Sequence, residues 1–264
     1  MTDQQALTDE SFWDAYWSEH GVALPAVAQR SPQSLQVNAI LDTLDRHLPE
    51  EPNAVALEIG GAPGQYLAYL DQRFGYRCAI LDFSPVGCQL ARRNFEMLGI
   101  QLDVYEGDLF ASWLDIGPFD VVFSLGFVEH FESLTDVVAA HTSLVKPGGT
   151  LAVGAPNVRG VNGWFMRRLG PRRLASHNTD ALLLDHWDAF EADLRLERVF
   201  RGYVGGFEPG VFAKIEERTL RRLPLLLAAR VLEHSVGRVR ALRRVNHSKL
   251  SGYLLGVWRV SPRS

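Results

Sequence analysis

Short apolar segments alternate with helical segments from residue 54 onward. The apolar segments that indicate strands are Ala54–Gly60, Tyr76–Phe83, Leu102–Tyr105, Phe119–Leu125 and Thr150–Val153. The segments with helical spacing between them are Gln65–Phe74, Pro85–Leu98 and Leu134–Leu144. Strands that are apolar throughout are buried on both faces, and parallel neighbours require a crossover connection. The alternation therefore predicts an α/β fold, a doubly wound and mostly parallel sheet with helices on both faces.

The alternation ends after residue 156. Two further strands are expected at Leu194–Tyr203 and Tyr253–Val260, which makes the predicted sheet seven-stranded. Residues 157–192 have the pattern of a loop followed by helices, and Val211–Val245 is predicted to be mostly helical. Because a chain of 264 residues with 47% hydrophobic content can bury one full core, it need not divide into two domains. We expect a single domain.

The sequence carries no sign of export or of a membrane span. Its two cysteines, Cys78 and Cys88, cannot form a disulfide framework, and we expect two buried core residues in a reducing compartment. The N-terminal residues contain no basic segment followed by an apolar run, as a secretory signal would. No apolar stretch approaches the ~20 residues that a transmembrane helix needs. These features predict a cytoplasmic protein without a transmembrane segment.

Charge is distributed unevenly along the chain. The net charge is −4 at pH 7, but residues 201–264 carry 13 Lys/Arg against 4 Asp/Glu, whereas the first 200 residues carry 14 and 27. Such asymmetry indicates either an anionic partner or one solvated amphipathic helix. The acidic first 200 residues argue against a long nucleic-acid footprint, and no nucleic-acid partner is expected.

A glycine-rich turn follows the first predicted strand. In the segment 57–64 (LEIGGAPG) a strand leads through glycines into a helix, which lets a ligand approach the backbone closely. Ala62 stands where the nicotinamide motif G-x-G-x-x-G has its middle glycine. Glu58, inside the strand, suits a cationic ligand better than a pyrophosphate. The pattern indicates either a nucleotide-like ligand or a tight turn without one.

Acidic residues follow the next two strands. Asp82 ends the second predicted strand, where a carboxylate can accept hydrogen bonds from both hydroxyls of a ribose. Asp108 follows the third strand in the segment EGDL, where an acid can accept from an exocyclic amino group. Either acid alone is more often a helix cap or a loop residue. Their joint placement at successive strand ends favours a bound ligand.

The order of these motifs resembles the core of the class I S-adenosylmethionine-dependent methyltransferases. The segments within residues 55–155 that carry the resemblance are LEIGGAPG, LDFS, EGDLF, FDVVFSLGFVEHF and LVKPGGTLAVGAP. The N-terminal FWDAYW is similar to an aromatic helix that often precedes this core. The resemblance implies S-adenosylmethionine as cofactor and S-adenosylhomocysteine as product.

The resemblance also implies which residues bind the cofactor. They are Tyr16, Glu58, Gly60, Gly61, Ala62, Gly64, Asp82, Phe83, Ser84, Asp108, Leu109, Ser124, Leu125 and Gly126. In this interpretation the glycine-rich turn, braced by Glu58, holds the methionine moiety, and Asp82 binds the ribose hydroxyls. Asp108 with Leu109 binds adenine, and residues 124–126 line the far side of the cofactor. Ala62 departs from the commonest pattern, so its methyl group is expected to weaken binding without abolishing it.

The same resemblance divides the single domain, residues 1–264, into four parts. Residues 1–50 are expected to form an N-terminal helical lid, and residues 51–156 the cofactor-binding core. Residues 157–250 are expected to cover the acceptor side and to include the sixth strand and a helical insert. Residues 251–264 contain the last strand.

Methyl transfer from a sulfonium needs little acid–base assistance, because alignment of the nucleophile supplies much of the catalysis. A base is needed only if the acceptor must lose a proton. The candidate catalytic residues are Glu129, His130, His177 and His186. Each histidine could instead be a hydrogen-bonded structural residue, and in many relatives the Glu-His pair merely shapes the cofactor pocket. No metal site is predicted.

A small molecule with an oxygen or nitrogen nucleophile is the expected acceptor. The Asp/Asn-Pro-Pro-aromatic motif of amino-methylating DNA enzymes is replaced here by Ser124–Phe127. Neither cysteine lies near the strand ends where a carbon-5 cytosine enzyme needs one. Trp164, Phe165 and Trp187 could form an apolar acceptor wall or could pack this segment onto the domain.

The sequence allows more than one role for each of two amphipathic segments. The aromatic residues Phe12, Trp13, Tyr16 and Trp17 fall at helical spacing, which indicates core packing, a lid over the cofactor, or both. Residues 225–245 form a predicted amphipathic helix that packs on the domain or a second subunit, or contacts a membrane surface or a lipid-linked acceptor. The chain is accordingly expected to be a monomer or homodimer.

The sequence predicts S-adenosylmethionine-dependent methylation of a small molecule, with two alternatives. A protein that keeps the cofactor pocket without turnover would retain the same binding residues, Glu58, Asp82 and Asp108. A nicotinamide-dependent oxidoreductase would fit Asp82, but it would not fit Glu58, the segment FVEHF or the glycine spacing.

Overall fold

The computed structural model describes residues 6–20, 22–31, 34–111, 115–179, 181–207, 223–225, 227–228, 231 and 245–261. The strands are β1 (Val55–Ile59), β2 (Arg77–Asp82), β3 (Leu102–Glu106), β4 (Phe119–Leu125), β5 (Val145–Pro156), β6 (Leu196–Phe207) and β7 (Ser251–Val260). The helices are α1 (Glu10–His20), α2 (Leu35–His47), α3 (Gln65–Phe74), α4 (Pro85–Leu98), α5 (Leu134–Ser143), α6 (Gly160–Leu169), α7 (Pro171–Ala175) and α8 (Trp187–Asp193). Short 3-10 helices occur at Val128–His130 and Leu184–His186.

The seven described strands form one sheet in the order β3-β2-β1-β4-β5-β7-β6. Strands β1 to β5 pair in parallel, whereas β7 is antiparallel to both β5 and β6. The predicted doubly wound, mostly parallel seven-stranded sheet is therefore confirmed. The strand order reverses between β1 and β4, and the carboxyl ends of these neighbours form a topological switch point. Ligands of open α/β sheets bind at such points.

Apolar side chains from both faces of the sheet form the core. On one face, α5 and α8 contribute Val137, Trp187 and Phe190 to a cluster with strand residues such as Leu57. On the other face, α2, α3 and α4 pack against alternate strand residues such as Ala56. Burial on both faces explains why the strands are apolar throughout rather than alternating.

The helix α4 shows how local sequence sets an element beside the switch point. It begins after Ser84, whose hydroxyl accepts a hydrogen bond of 2.9 Å from the Gly87 amide, with Pro85 at the first helical position. It ends at Gly99, which adopts a left-handed φ of 68°. Proline at the start and glycine just past the end are the favoured termini of a helix.

Element boundaries differ from the predicted ones where strands extend into turns. β5 begins at Val145, before the Pro-Gly-Gly segment that was expected to precede it, and a register shift against β4 accommodates the turn residues. β6 runs from Leu196 to Phe207 and so extends beyond the predicted Leu194–Tyr203. Most of the predicted helical segment Val211–Val245 lies outside the described residues.

The two helices of the N-terminal region, α1 and α2, have different roles. α2 packs against β6 and β7 and buries Ile40, Leu41 and Leu44 in the main core. It is therefore a layer of the fold, although residues 1–50 as a whole were predicted to be a lid. α1, by contrast, packs on α4 beside the carboxyl ends of the strands. Both cysteines are buried and free, as predicted, and no helix among the described residues is long and apolar enough to cross a membrane.

Candidate active site

The ends of the first three strands are bonded directly to one another. The Gly60 amide donates to the Leu81 carbonyl at 2.8 Å, and the Gly107 amide donates to the Asp82 carbonyl at 3.0 Å. Asp82 also lies opposite Glu106 in the parallel register of β2 and β3. The two acidic segments predicted from sequence are thus neighbours at one edge of the sheet, beside the glycine-rich turn.

Each glycine of the turn is required by its surroundings. A Cβ atom on Gly60 would lie 2.2 Å from the ring of Phe127, and φ there is +64°. A Cβ atom on Gly61 would lie 2.2 Å from the Glu58 side chain. Gly64 has a φ of +82° at the start of α3. The turn therefore presents bare backbone, as close approach by a ligand requires.

Glu58 is buried beneath this turn. Only 1% of the residue is exposed, and its Oε2 atom accepts a hydrogen bond of 3.3 Å from the Leu67 amide. Burial raises the pKa of Glu58 to about 8, so the carboxyl group is mainly protonated at neutral pH in the ligand-free protein. A nearby cation would favour the ionised form.

Asp82 is the second buried acid of the site. Its Oδ1 atom accepts a hydrogen bond of 2.9 Å from the Ser84 amide, and burial raises its pKa to about 6. A Cβ atom on Gly87 would lie 3.1 Å from Ala62, 3.2 Å from the Trp17 indole nitrogen and 3.4 Å from the Asp82 carboxyl carbon. The carboxyl group of Asp82 therefore lies close to both the glycine-rich turn and α1.

α1 and the residues just before it are hydrogen-bonded to the site. Asp14 accepts a hydrogen bond of 2.5 Å from the Ser84 hydroxyl, and the Leu7 amide donates to the His130 carbonyl at 2.8 Å. The ring of Trp13 contacts that of His130 edge-on, with 5.0 Å between ring centroids. These contacts hold the aromatic face of α1 against the segment that follows β4.

A cavity of about 390 Å³ opens between α1, the glycine-rich turn and this segment. The candidate cofactor residues in its wall are Tyr16, Glu58, Gly60, Gly61, Ala62, Leu125 and Gly126. The candidate catalytic residues in its wall are Glu129, His130 and His177. Trp13 and Trp17 line it as well, so the sheet, the helix and the segment after α7 meet at one space.

The remaining candidates lie elsewhere. Those outside the wall of this cavity are Gly64, Asp82, Phe83, Ser84, Asp108, Leu109, Ser124 and His186. Ser124 is fully buried, and its hydroxyl is 3.0 Å from Nε2 of His141. Asp108 is exposed, and its carboxylate accepts a hydrogen bond of 3.0 Å from the Phe110 amide. This local bond matches the alternative interpretation of Asp108 as a cap or loop residue. His186 is exposed on the 3-10 helix before α8.

The alternative of an acceptor wall built from Trp164, Phe165 and Trp187 is wrong. Trp187 is fully buried in the main core, where its indole N–H donates to the Ala181 carbonyl at 2.8 Å. Phe165 is buried in a small cluster with Leu169, and Trp164 is 40% exposed. None of the three lines the cavity, because Phe165 and Trp187 pack inward and Trp164 faces solvent.

Comparison with known proteins relates this site to methyltransferases. Residues 57–153, which include β2 to β4 and most of β1 and β5, match the family model described as a methyltransferase domain. The matched region contains the glycine-rich turn, both acidic strand ends and the Glu129–His130 pair, whereas His177 lies outside it.

Curated proteins similar to this chain are ubiquinone biosynthesis O-methyltransferases. The one from Methylocella silvestris is 27% identical over 151 residues, which cover 50% of this chain and 59% of the relative. The one from Xylella fastidiosa is 28% identical over 150 residues, which cover 56% of each chain. The matched regions thus span less than two thirds of the length of these relatives.

Solved structures of methyltransferases share the fold of this chain. Geranyl diphosphate C-methyltransferase from Streptomyces coelicolor has a TM-score of 0.61 and 12% identity, with 95% of this chain and 97% of that chain covered. An S-adenosylmethionine-dependent methyltransferase from Thiobacillus denitrificans, in complex with S-adenosylhomocysteine, has a TM-score of 0.56 and 20% identity. That comparison covers 95% of this chain and 98% of the other.

Several residues in the cavity wall were not predicted from sequence. Gln36 and Ile40 come from α2, and Tyr253 comes from β7. Tyr253 is 4% exposed, and burial raises the pKa of its hydroxyl well above its ordinary value. The available signals were the hydrophobic spacing of α2 and the hydroxyl group of Tyr253 in an otherwise apolar part of β7. Neither signal shows which end of the sheet these residues reach.

Proposed function

We propose that this chain transfers a methyl group from S-adenosylmethionine to an oxygen or nitrogen atom of a small-molecule acceptor. The observation that carries the proposal is the convergence in one cavity of bare glycine backbone, aromatic rings and the polar set Glu129, His130 and His177. The first two suit a cationic nucleoside-like ligand, and the third suits the acceptor. The cavity lies at the carboxyl ends of the strands, where such ligands bind in this class of fold.

The residues present fit S-adenosylmethionine. The turn at Gly60 and Gly61 has no room for a Cβ atom, so its backbone is open to the methionine moiety. The carboxyl group of Asp82 is buried beside that turn, where two ribose hydroxyls would donate to it. The rings of Trp13 and Tyr16 line the same cavity, and aromatic faces attract a sulfonium cation.

Further roles in cofactor binding follow from position. Leu125 and Gly126 lie in the cavity wall opposite α1 and would pack along the cofactor. Asp108 and Leu109 follow β3, the outermost strand on the β2 side, which favours the adenine assignment. Ser124 would act through the backbone, because its hydroxyl is bonded within the core to His141.

We assign binding of the methyl acceptor to Glu129, His130 and His177. When bound, the cofactor supplies an electrophilic methyl group, and the chain must exclude water and align the nucleophile. His130 or His177 would accept the proton of a hydroxyl or amine acceptor, with Glu129 beside them. The curated relatives are O-methyltransferases, which favours an oxygen nucleophile. A cytoplasmic location, a monomeric or dimeric state and any peripheral membrane contact stay predictions.

The test is calorimetric titration of the purified chain with S-adenosylmethionine, S-adenosylhomocysteine and NAD. We expect micromolar affinity for the first two, which corresponds to about −8 kcal/mol, and no binding of NAD. Release of S-adenosylhomocysteine in the presence of catechol- or amine-bearing metabolites would then separate an enzyme from a binding protein without turnover. Failure of both adenosyl ligands to bind at millimolar concentration would overturn the proposal.

A further inference from the structure

Glu129, His130 and His177 bring one carboxylate and two imidazoles together in the cavity wall. One ligand atom from each residue lies within 4.8 Å of those of the other two. Glu129 is 2% exposed and His130 is 7% exposed. The sequence did not predict this cluster because 47 residues separate His130 from His177, and only the path of the chain after α7 brings them together.

The backbone around the cluster is firmly bonded. The Asn178 amide donates to the Glu129 carbonyl at 2.6 Å, and the Asn178 side chain donates to the carbonyls of Phe131 and Glu132 at 2.9 and 2.8 Å. The segment that carries His177 is thereby attached to the segment that carries Glu129 and His130. A site held by several such bonds keeps its side chains in place before any ligand arrives.

The hydrogen bond of His130 determines which ring nitrogen can coordinate. Its Nδ1 atom lies 3.0 Å from the Ser176 carbonyl, which can only accept, so Nδ1 carries the proton. The lone pair for a ligand is then on Nε2. Histidines that bind metals almost always donate their other N–H to a carbonyl or carboxylate in this way.

The spacing is close to that of a bound ion. Ligand atoms about 2.1 Å from a tetrahedral Zn²⁺ lie roughly 3.4 Å apart. Three atoms separated by at most 4.8 Å would each have to move inward by no more than about 1 Å to reach that spacing.

We propose that Glu129, His130 and His177 bind one divalent transition-metal ion, with Zn²⁺ as the ion of best-matched chemistry. Two imidazoles and one carboxylate are a ligand set that catalytic zinc sites use, with a further position left for water or substrate. Mg²⁺ prefers oxygen ligands and is disfavoured by two imidazoles.

This inference rests on the proposed function for the methyl transfer, although not for its test. In it the metal ion replaces His130 or His177 as the group that activates the acceptor. An acceptor hydroxyl that took the remaining position would have its pKa lowered. Its proton would leave to solvent, and an oxygen electron pair would form the bond to the methyl carbon. The carbon–sulfur bond would break with its electrons on sulfur, which yields the methyl ether and S-adenosylhomocysteine.

The experiment titrates the full chain, stripped with a chelator and dialysed, with Zn²⁺ and with Co²⁺. We expect one equivalent to bind, visible absorption bands from the Co²⁺ form, and no competition from millimolar Mg²⁺. His177→Ala and Glu129→Gln should each weaken binding by more than about 100-fold, since loss of outer-shell partners alone costs 10- to 100-fold. The matched controls His247→Ala and Glu132→Gln, both at exposed positions, should bind as the wild type does.

Circular dichroism of every variant shows whether the fold is retained, and the conservative variant His177→Gln replaces any variant that fails to fold. Absence of stoichiometric binding to the wild type, or an equal loss in the controls, would overturn the inference. Titration of the metal-free chain with S-adenosylmethionine distinguishes the two proposals. Cofactor binding without metal binding removes only this inference, whereas metal binding without cofactor binding removes only the proposed function.

Discussion

The carboxylate of Asp14 on α1 accepts a hydrogen bond of 2.5 Å from the hydroxyl of Ser84 at the start of α4. The same hydroxyl oxygen accepts the Gly87 amide at 2.9 Å, so one serine both caps α4 and holds α1. The Val86 amide lies 3.4 Å from the same Asp14 oxygen, at the helix N-terminus, where a negative charge is stabilised. The lid-like helix and the start of α4, which follows β2, are thus joined through the Asp14 carboxylate.

Replacement of Asp14 by alanine is expected to weaken S-adenosylmethionine binding by about 10-fold, or about 1.4 kcal/mol. The lost bond is charge-assisted and holds the helix that carries Trp13 and Trp17 over the cavity. Titration calorimetry measures the affinity, and thermal unfolding reports stability. The control is Glu19→Ala, an exposed acid on the same helix. Unchanged affinity with a lowered melting temperature would assign α1 to packing alone.

Replacement of Asp82 by asparagine should separate stability from binding. Burial raises the pKa of Asp82 to about 6, which means that the ionised form is unfavourable in the ligand-free protein at pH 7. Asparagine removes that cost, so the melting temperature of the free protein should rise by a few degrees. Cofactor affinity should fall by roughly 10- to 100-fold, because the ribose hydroxyls lose a charged acceptor.

The pH dependence provides the control for Asp82. Since the pKa is higher in the folded state than in the unfolded state, the stabilisation by protonation is full below about 4 and is lost as pH rises through about 6. Asp82→Asn and the wild type should therefore be similarly stable near pH 4 and differ at pH 7. Equal cofactor affinity in a folded variant would contradict the ribose assignment.

How much the sequence could predict depends on how far apart in the chain the interacting residues lie. The ends of β1, β2 and β3, the glycine-rich turn and the caps of α4 depend on neighbouring residues, and the structure has them within one residue of where the pattern indicated. The proximity of His177 to His130 depends on contacts across 47 residues, and no local spacing encodes them. Trp187 shows the same limit, because an aromatic residue packs equally well in a cavity wall or, as here, in the core.

Replacement of Gly61 by alanine tests the closeness of the turn to Glu58. The added Cβ atom would lie 2.2 Å from the Glu58 side chain, so the turn must shift. We expect a loss of about 1–3 kcal/mol in the free energy of unfolding and at least about 10-fold weaker cofactor binding. Gly202→Ala is the control, since its nearest atom would be 3.3 Å away at the tip of the Phe200 ring.

A double-mutant cycle tests whether contact with the Glu58 side chain causes the loss of stability in Gly61→Ala. Glu58→Ala removes the atoms that the methyl group added by Gly61→Ala would meet, so the stability effects of the two changes should not add. The predicted interaction energy is at least about 0.5 kcal/mol in the direction of rescue. Strict additivity would show that Gly61 is needed for another reason, such as backbone freedom.

Glu58 should make the free protein less stable as the solution becomes alkaline. Burial raises its pKa from an ordinary 4.5 to about 8, so the folded state binds the proton more tightly than the unfolded state does. The stability that this provides is full below about pH 4.5 and is lost as pH rises through about 8.

Asp82, with its pKa of about 6, has largely completed the same loss by pH 7. The decline in melting temperature between pH 7 and pH 9 is therefore assigned to Glu58. Glu58→Gln, which keeps an oxygen acceptor for the Leu67 amide, should flatten that decline, whereas Asp82→Asn should retain it. An equally steep decline in Glu58→Gln would assign the alkaline loss to another group and would remove Glu58 as the buried acid beneath the turn.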